Sequence, residues 1–221
     1  MNKLLCLLLL IGVSPLLVAG QVKYDHKIIA ILPMKTAFIK YASVTDSSIK
    51  EYRALELKYG VELQEALYHV ITADTNRLLV AVQPWEVTDS ILKRAGVDFL
   101  KLPYLNMVAI ARLLKVDACI VTTVNPIIPM RGGARGAAIG GTPLAALAAS
   151  LASGAASQGL TNLMTKGNKN FYYTLVDGKS GEDVWSLSDE VSSEDLALSK
   201  EGIVCSHKMF WRFKKRFPYC D

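Results

Sequence analysis

The first strand of the chain is predicted by the run Lys27-Ile28-Ile29-Ala30-Ile31-Leu32-Pro33. Its centre is apolar without alternation, which is typical of a parallel strand covered on both faces, and the proline ends it. Two similar apolar runs follow at residues 78–82 and 116–124. Apolar residues recur at helical spacing between the strands, in residues 49–71, 88–95 and 103–114. Strands that alternate with helices predict an α/β fold whose parallel strands are covered by helices.

A Gly-rich turn, Gly178-Lys179-Ser180-Gly181, separates two further strand-like runs, residues 171–177 and 182–187. These runs predict a C-terminal β-hairpin, so the expected sheet is mixed. Residues 193–221 are predicted to form a C-terminal helix with a basic aromatic tail, because Ser192-Ser193-Glu194-Asp195 suits a helix start. The helix prediction also rests on apolar residues at helical spacing, namely Leu196, Ile203, Phe210, Phe213 and Phe217.

The N-terminus has the pattern of a secretory signal peptide. Lys3 precedes the apolar run 4–11, and Val18-Ala19-Gly20 supplies small residues at the cleavage positions. We therefore predict a signal peptide at residues 1–20, cleavage before Gln21 and a single mature domain at 21–221. Gln21 stands where a lipoprotein needs its acylated cysteine, so we expect export without lipidation, to the periplasm or the periplasmic face of the outer membrane. The alternative is a retained membrane anchor.

A Gly/Ala-rich insertion is predicted at residues 129–168, and its part 136–164 has no charged residue. Gly132, Gly136 and Gly140 form a glycine zipper on which helices can approach closely. A leucine stripe follows at Leu144, Leu147 and Leu151. Three interpretations remain open: a flexible insertion, an interfacial or oligomerising helix, and a membrane-inserted element.

Composition and charge exclude several classes of protein. Of the 221 residues, 51% are hydrophobic and the formal net charge is +5, which excludes a disordered chain. The basic charge is concentrated in residues 208–221 rather than spread over a face, so no nucleic-acid partner is expected. The tail allows two interpretations: a core-packed end with solvated cations, or a contact with anionic lipid headgroups or an acidic partner. Its candidate interface residues are Trp211, Arg212, Lys214, Lys215 and Arg216.

No pattern of catalytic, metal-binding or cofactor-binding residues is found in the sequence, so a non-enzymatic protein without a cofactor is expected. The histidines of the mature chain, His26, His69 and His207, are scattered along it. Triads assembled only in space are not detectable this way. Cys205 and Cys220 are candidates for a disulfide because export favours oxidation, provided that the terminal helix stops early.

Three segments carry a resemblance to a known family: residues 29–34, 110–121 and 175–186. Together they resemble the envelope proteins built on the TolB amino-terminal type of α/β domain, which include CsgG of curli secretion, the penicillin-binding-protein activator LpoB and neisserial-type surface lipoproteins. The resemblance implies this fold and a role in the cell envelope.

The hypothesis from the sequence is a non-enzymatic exported envelope protein. It would act in assembly, secretion or surface-structure biogenesis through contacts with envelope proteins, and its Gly/Ala-rich insertion would mediate either homo-oligomerisation or a membrane contact. The resemblance to LpoB implies an alternative, a periplasmic activator of a peptidoglycan synthase. A second alternative, a small-molecule-binding α/β domain, predicts a deep polar pocket at the carboxyl ends of the strands.

Overall fold

The computed structural model describes residues 24–36, 46–126, 168–198, 202–206 and 208–220. The predicted signal peptide and the glycine zipper with its leucine stripe lie outside these residues. The strands are β1 (Ile28–Ile31), β2 (Lys35–Thr36), β3 (Ala81–Val82), β4 (Ala118–Pro126), β5 (Lys169–Asp177), β6 (Asp183–Val191), β7 (Leu196–Leu198) and β8 (Ile203–Cys205). The helices are α1 (Asp46–Thr72), α2 (Trp85–Arg94), α3 (Met107–Leu114) and α4 (Trp211–Arg216), with 3₁₀ turns at Thr75–Arg77 and Phe99–Tyr104.

The main sheet is mixed and has the strand order β3-β1-β4-β5-β6. β1 runs parallel to β3 and β4, and β2 continues beside β4 beyond Pro33. β4, β5 and β6 are antiparallel neighbours, and Val124 of β4 pairs with Phe171 of β5. This arrangement confirms the predicted α/β class, with parallel strands, a C-terminal hairpin and flanking helices.

The two faces of the sheet build two separate apolar cores. On the first face, Ile31, Ile120 and Tyr173 pack with residues of α1 and of the C-terminal segment. On the second face, Ala30 and Cys119 pack with residues of α2, α3 and the 3₁₀ turn before α3. Both faces of β1 are buried, which explains why its sequence is apolar without alternation.

The predicted continuous C-terminal helix is wrong. The strands β7 (Leu196–Leu198) and β8 (Ile203–Cys205) instead pair antiparallel, and the helix is limited to Trp211–Arg216. The carboxylate of Asp195 accepts hydrogen bonds from the hydroxyls of Ser192 and Ser206, 2.9 and 2.6 Å away, and so closes the base of the hairpin. The N–H of Ile203 donates to Glu62 Oε2 at 2.9 Å, which attaches β8 to α1. These tertiary bonds outweigh the helical spacing of the apolar residues.

One helix boundary also differs from the prediction. Pro103 lies inside the 3₁₀ turn and does not start α3, which begins at Met107 with Asn106 as its cap. The Asn106 side chain accepts a hydrogen bond from the N–H of Ala109 at 3.2 Å, and proline has no side-chain acceptor to offer in this role. The long helix α1 is continuous through Gly60, whose carbonyl accepts a hydrogen bond from the N–H of Met34 at 3.0 Å.

Candidate functional surfaces

An open cleft lies on the second face of the sheet, and we call it the sheet cleft. Among the described residues, α3 packs near the start of β4 and the end of β5 and leaves an open face farther along β5, where Tyr172 is 44% exposed. The cleft has a volume of about 540 Å³ between this open face and the entry to α3. Its floor is formed by side chains of β4 and β5, namely Val121, Thr123, Tyr172, Thr174 and Val176. Its wall comes from the loop before α3 and from the hairpin turn.

The chemistry of the sheet cleft is mostly neutral. The lining combines apolar groups with the hydroxyls of Thr123, Tyr172 and Thr174 and the amide of Asn106, and Asp183 lies at one end. Tyr172 is 44% exposed, so its ring and hydroxyl are available to a partner. Such a surface can hold a ligand by hydrogen bonds and apolar contact.

A buried network joins the segment before β1 to the hairpin and the C-terminus. Nε2 of His26 lies 2.8 Å from Oδ1 of Asp177, and Nδ1 of the same ring bonds the hydroxyl of Tyr219. Tyr24 donates its hydroxyl to the carbonyl of Val184. When Nε2–H donates to the carboxylate, Nδ1 is the acceptor and Tyr219 is the donor. This junction could not be predicted from the sequence, because its members lie far apart along the chain.

The ionisation of this network fits a structural role. Partial burial opposes ionisation of Asp177, but hydrogen bonds from Ser180, His26 and Lys179 outweigh it and hold the pKa of this carboxyl well below its usual range. Burial raises the pKa of the Tyr219 phenol, so this hydroxyl stays protonated and can donate. The Tyr219 side chain is buried, which keeps its hydroxyl from a substrate. The Asp–His–Tyr arrangement therefore stabilises the fold.

The residues that carry the family resemblance also stabilise the fold. Oδ2 of Asp117 accepts hydrogen bonds from the backbone N–H groups of Lys27 and Ile28, at 2.8 and 3.0 Å, and so connects the start of β1 to β4. Asp177 accepts from the turn N–H groups of Lys179 and Ser180, at 3.0 and 2.6 Å, as its turn position predicts.

The predicted tail residues share one exposed region beside α4. We call it the C-terminal basic surface, and it consists of Lys208, Trp211, Arg212, Lys214, Lys215 and Arg216. Trp211 is 55% exposed, and Nζ of Lys215 lies 3.5 Å from the centre of its ring. Arg212 bonds the buried carboxylate of Asp189 at 3.1 Å. The opposite side of α4 places Phe213 in the core.

The other predicted site residues are the glycine zipper, the leucine stripe and the two cysteines. The residues of the glycine zipper and the leucine stripe lie outside the described residues, namely Gly132, Gly136, Gly140, Leu144, Leu147 and Leu151. Cys205 carries a free thiol in the structure, and both it and Cys220 pack against the first core, so their pairing stays a prediction. Within the described ranges, no three His, Cys, Asp or Glu side chains lie together as a metal site requires. No helix in the same ranges is long and apolar enough to cross a membrane.

The floor of the sheet cleft was also missed from the sequence. A faint signal was present, because apolar Phe171, Tyr173 and Leu175 alternate with the more exposed Tyr172 and Thr174 in β5. Alternation of this kind indicates that one face of a strand is left uncovered.

Comparison with known proteins gives distant similarities of fold. No protein-family model matches the chain, and no curated protein matches it. Among solved structures, lipoprotein GNA1162 from Neisseria meningitidis is 13% identical with a TM-score of 0.39, over 75% of this chain and 79% of that one. The LpoB C-terminal domains from Salmonella enterica and Escherichia coli are 9% and 10% identical with TM-scores of 0.36 and 0.38, each over 75% of this chain and 82% of theirs.

Proposed function

We propose that this chain is an exported, non-enzymatic envelope protein that acts through protein contacts in assembly, secretion or surface-structure biogenesis. The observation that carries the proposal is the sheet cleft, with Tyr172 exposed in its floor. Tyrosine offers a large rigid contact area together with a hydroxyl, and it is enriched at protein interfaces. The hydroxyls of Thr123 and Thr174 and the Asn106 amide add hydrogen-bonding groups around it.

The position of the cleft favours a protein over a small ligand as its occupant. A small-molecule site in an open α/β sheet is expected at the carboxyl ends of the parallel strands. The sheet cleft instead lies along the face of β4 and β5, with Tyr172 and Leu105 exposed. An extended partner segment can lie across such a face.

The envelope location in this proposal is supported by the sequence. Residues 1–20 have the order of a signal peptide, with a cation, an apolar run and small residues at the cleavage positions. Gln21 is the basis for proposing a mature protein without a lipid anchor. The homo-oligomer inferred from the glycine zipper belongs to the same proposal.

Site-specific crosslinking in cells tests the proposal. A photo-crosslinking residue at Tyr172 should give a specific adduct with an envelope protein or with a second copy of this chain. The same residue at Val87, which is 45% exposed on α2 and does not line the cleft, is the matched control and should give no such adduct. Thr174→Arg, which fills the cleft floor, should abolish the Tyr172 adduct, whereas Ser90→Arg on the exposed side of α2 should not.

The identity of the adduct separates the alternatives. A peptidoglycan synthase would favour the LpoB-like alternative. Absence of protein adducts at Tyr172, together with a small molecule retained by the purified protein and released by Thr174→Arg, would overturn the proposal in favour of a small-molecule-binding domain. Equal adducts at Tyr172 and Val87 would also contradict it.

A further inference from the structure

The C-terminal basic surface has a fixed orientation, because the other side of α4 is anchored in the first core. The rings of Phe213 and Phe217 lie 5.0 Å apart, and the indole of Trp185 meets them at 5.5 and 5.7 Å. The ring of Tyr173 lies 4.6 Å from that of Phe213. Such buried aromatic contacts hold α4 against the sheet, so its exposed side is presented without reorganisation.

The exposed side combines one indole with a concentration of positive charge. Lys208, Arg212, Lys215 and Arg216 are exposed around Trp211, and Lys214 is half-buried. Among the described residues, the buried carboxylate of Asp189 bonds Arg212, whose side chain remains largely exposed, and the carboxylate of Asp195 is attracted to Lys208. Two carboxylates do not neutralise five cations, so the described part of this surface stays positive.

This combination fits an anionic lipid surface better than an acidic protein. Tryptophan prefers the level of the headgroups, where its ring is half in an apolar layer and its N–H reaches polar groups. Lysine ammonium groups act as mobile point charges that suit an array of lipid phosphates. An acidic protein partner would instead be expected to enclose the indole in a pocket with fixed polar groups.

We propose that the C-terminal basic surface docks the protein on a membrane that contains anionic phospholipid, with Trp211 at the headgroup level and the cations on the phosphates. This adds a lipid partner to the proposed function at a surface separate from the sheet cleft. Failure of lipid docking therefore leaves the cleft proposal standing, and the reverse also holds.

Vesicle binding by the full mature protein tests the inference. The protein should co-sediment with phosphatidylcholine vesicles that contain about one third phosphatidylglycerol. It should stay in the supernatant with vesicles of pure phosphatidylcholine. Raising the salt should release it, because exposed charges are screened within about 8 Å at physiological ionic strength. The double variant Lys215→Gln, Arg216→Gln should weaken binding at least about tenfold, since each cation near an anionic leaflet contributes to attraction.

A matched variant controls for net charge and folding. Arg112→Gln, Lys115→Gln removes two exposed cations at the end of α3, and its binding should stay within about twofold of the parent. Tryptophan emission adds an independent readout. Binding should shift it to the blue, and Trp211→Phe should remove that shift although Trp85 and Trp185 remain.

Several outcomes would overturn the inference. Equal loss of binding in the two charge variants would show a nonspecific charge effect. Binding to neutral vesicles that resists salt would point to another part of the chain. Retention on an acidic polypeptide column, without binding to anionic vesicles, would identify an acidic protein as the partner instead.

Discussion

Nε2 of His26 lies 2.8 Å from Oδ1 of Asp177 and joins the residues that precede β1 to the last residue of β5. The same imidazole bonds Tyr219, so one side chain connects three parts of the chain that are remote in sequence. The side chain of His26 is only 8% exposed, which removes competing water from these bonds. The free energy of unfolding should therefore depend on this residue.

His26→Ala should lower the free energy of unfolding by about 2–3 kcal/mol, because it removes two buried hydrogen bonds and leaves the Tyr219 hydroxyl without this partner. Urea unfolding followed by circular dichroism measures the change. His69→Ala is the matched control, since the His69 side chain is 64% exposed and lies 3.7 Å from Glu65 on the surface of α1. Its effect should stay within about 0.5 kcal/mol. Equal effects of the two variants would contradict the structural role of His26.

Acid should weaken the protein through Asp177. The pKa of this carboxyl is lowered in the folded state, so its stabilising contribution is fully present above the unfolded pKa of about 4 and is lost as the pH falls below it. Unfolding measured from pH 7 down to pH 3 should show a decline that is smaller in Asp177→Asn. A parallel decline in both proteins would assign the acid sensitivity to other carboxylates, with Asp117 the next candidate because its pKa is also lowered.

The order of the main elements could be predicted because local sequence determines it. β1 is a continuous apolar run, and the β5–β6 hairpin has its turn glycines and its turn aspartate in place. The C-terminal helix could not be predicted correctly, because Glu62 bonds β8 and Asp195 bonds Ser206 beside the paired strands β7 and β8, and these are tertiary contacts. The spacing of apolar residues along the sequence does not indicate such tertiary hydrogen bonds.

Of the two candidate surfaces, one could be predicted from the sequence and the other could not. The C-terminal basic surface could be predicted because its cations and Trp211 are neighbours in sequence. The sheet cleft could not, because Tyr172 and Asn106 meet only after β4 and β5 have paired and α3 has packed on them. The junction of His26, Asp177 and Tyr219 was missed for the same reason.

Gly60→Ala should destabilise the protein although alanine is the better helix former. A Cβ at this position would lie 2.3 Å from the carbonyl oxygen of Met34, which is backbone and cannot rotate away. Helix propensity favours alanine by about 1 kcal/mol, so a net loss of stability would measure a larger steric cost. The expected loss is at least about 1 kcal/mol in urea unfolding. Ser90→Ala, at an exposed position of α2, is the control and should be neutral or slightly stabilising; a stabilising Gly60→Ala would show that Met34 and α1 can separate.

Asp89 on α2 should be a position where removing a charge stabilises the fold. Burial raises the pKa of this carboxyl, and Gln64 and Lys93 offset that effect only in part. Among the described residues, neither carboxylate oxygen meets strict hydrogen-bond geometry; the Gln64 side chain is close enough to favour the ionised form, and Nζ of Lys93 lies 3.8 Å from Oδ2. Because the folded state binds the proton more tightly than the unfolded state does, the contribution of Asp89 is most favourable below about pH 4 and is lost as the pH rises.

Asp89→Asn should therefore raise the free energy of unfolding by about 1 kcal/mol at pH 7 and by less at pH 4. Urea unfolding at the two pH values measures both numbers. Glu182→Gln, at an exposed position just before β6, removes the same charge from solvent and should change stability little at either pH. A destabilising Asp89→Asn at pH 7 would mean that the ionised carboxylate contributes to the packing of α2 against α1, because only a favourable interaction of the charge could then outweigh its burial.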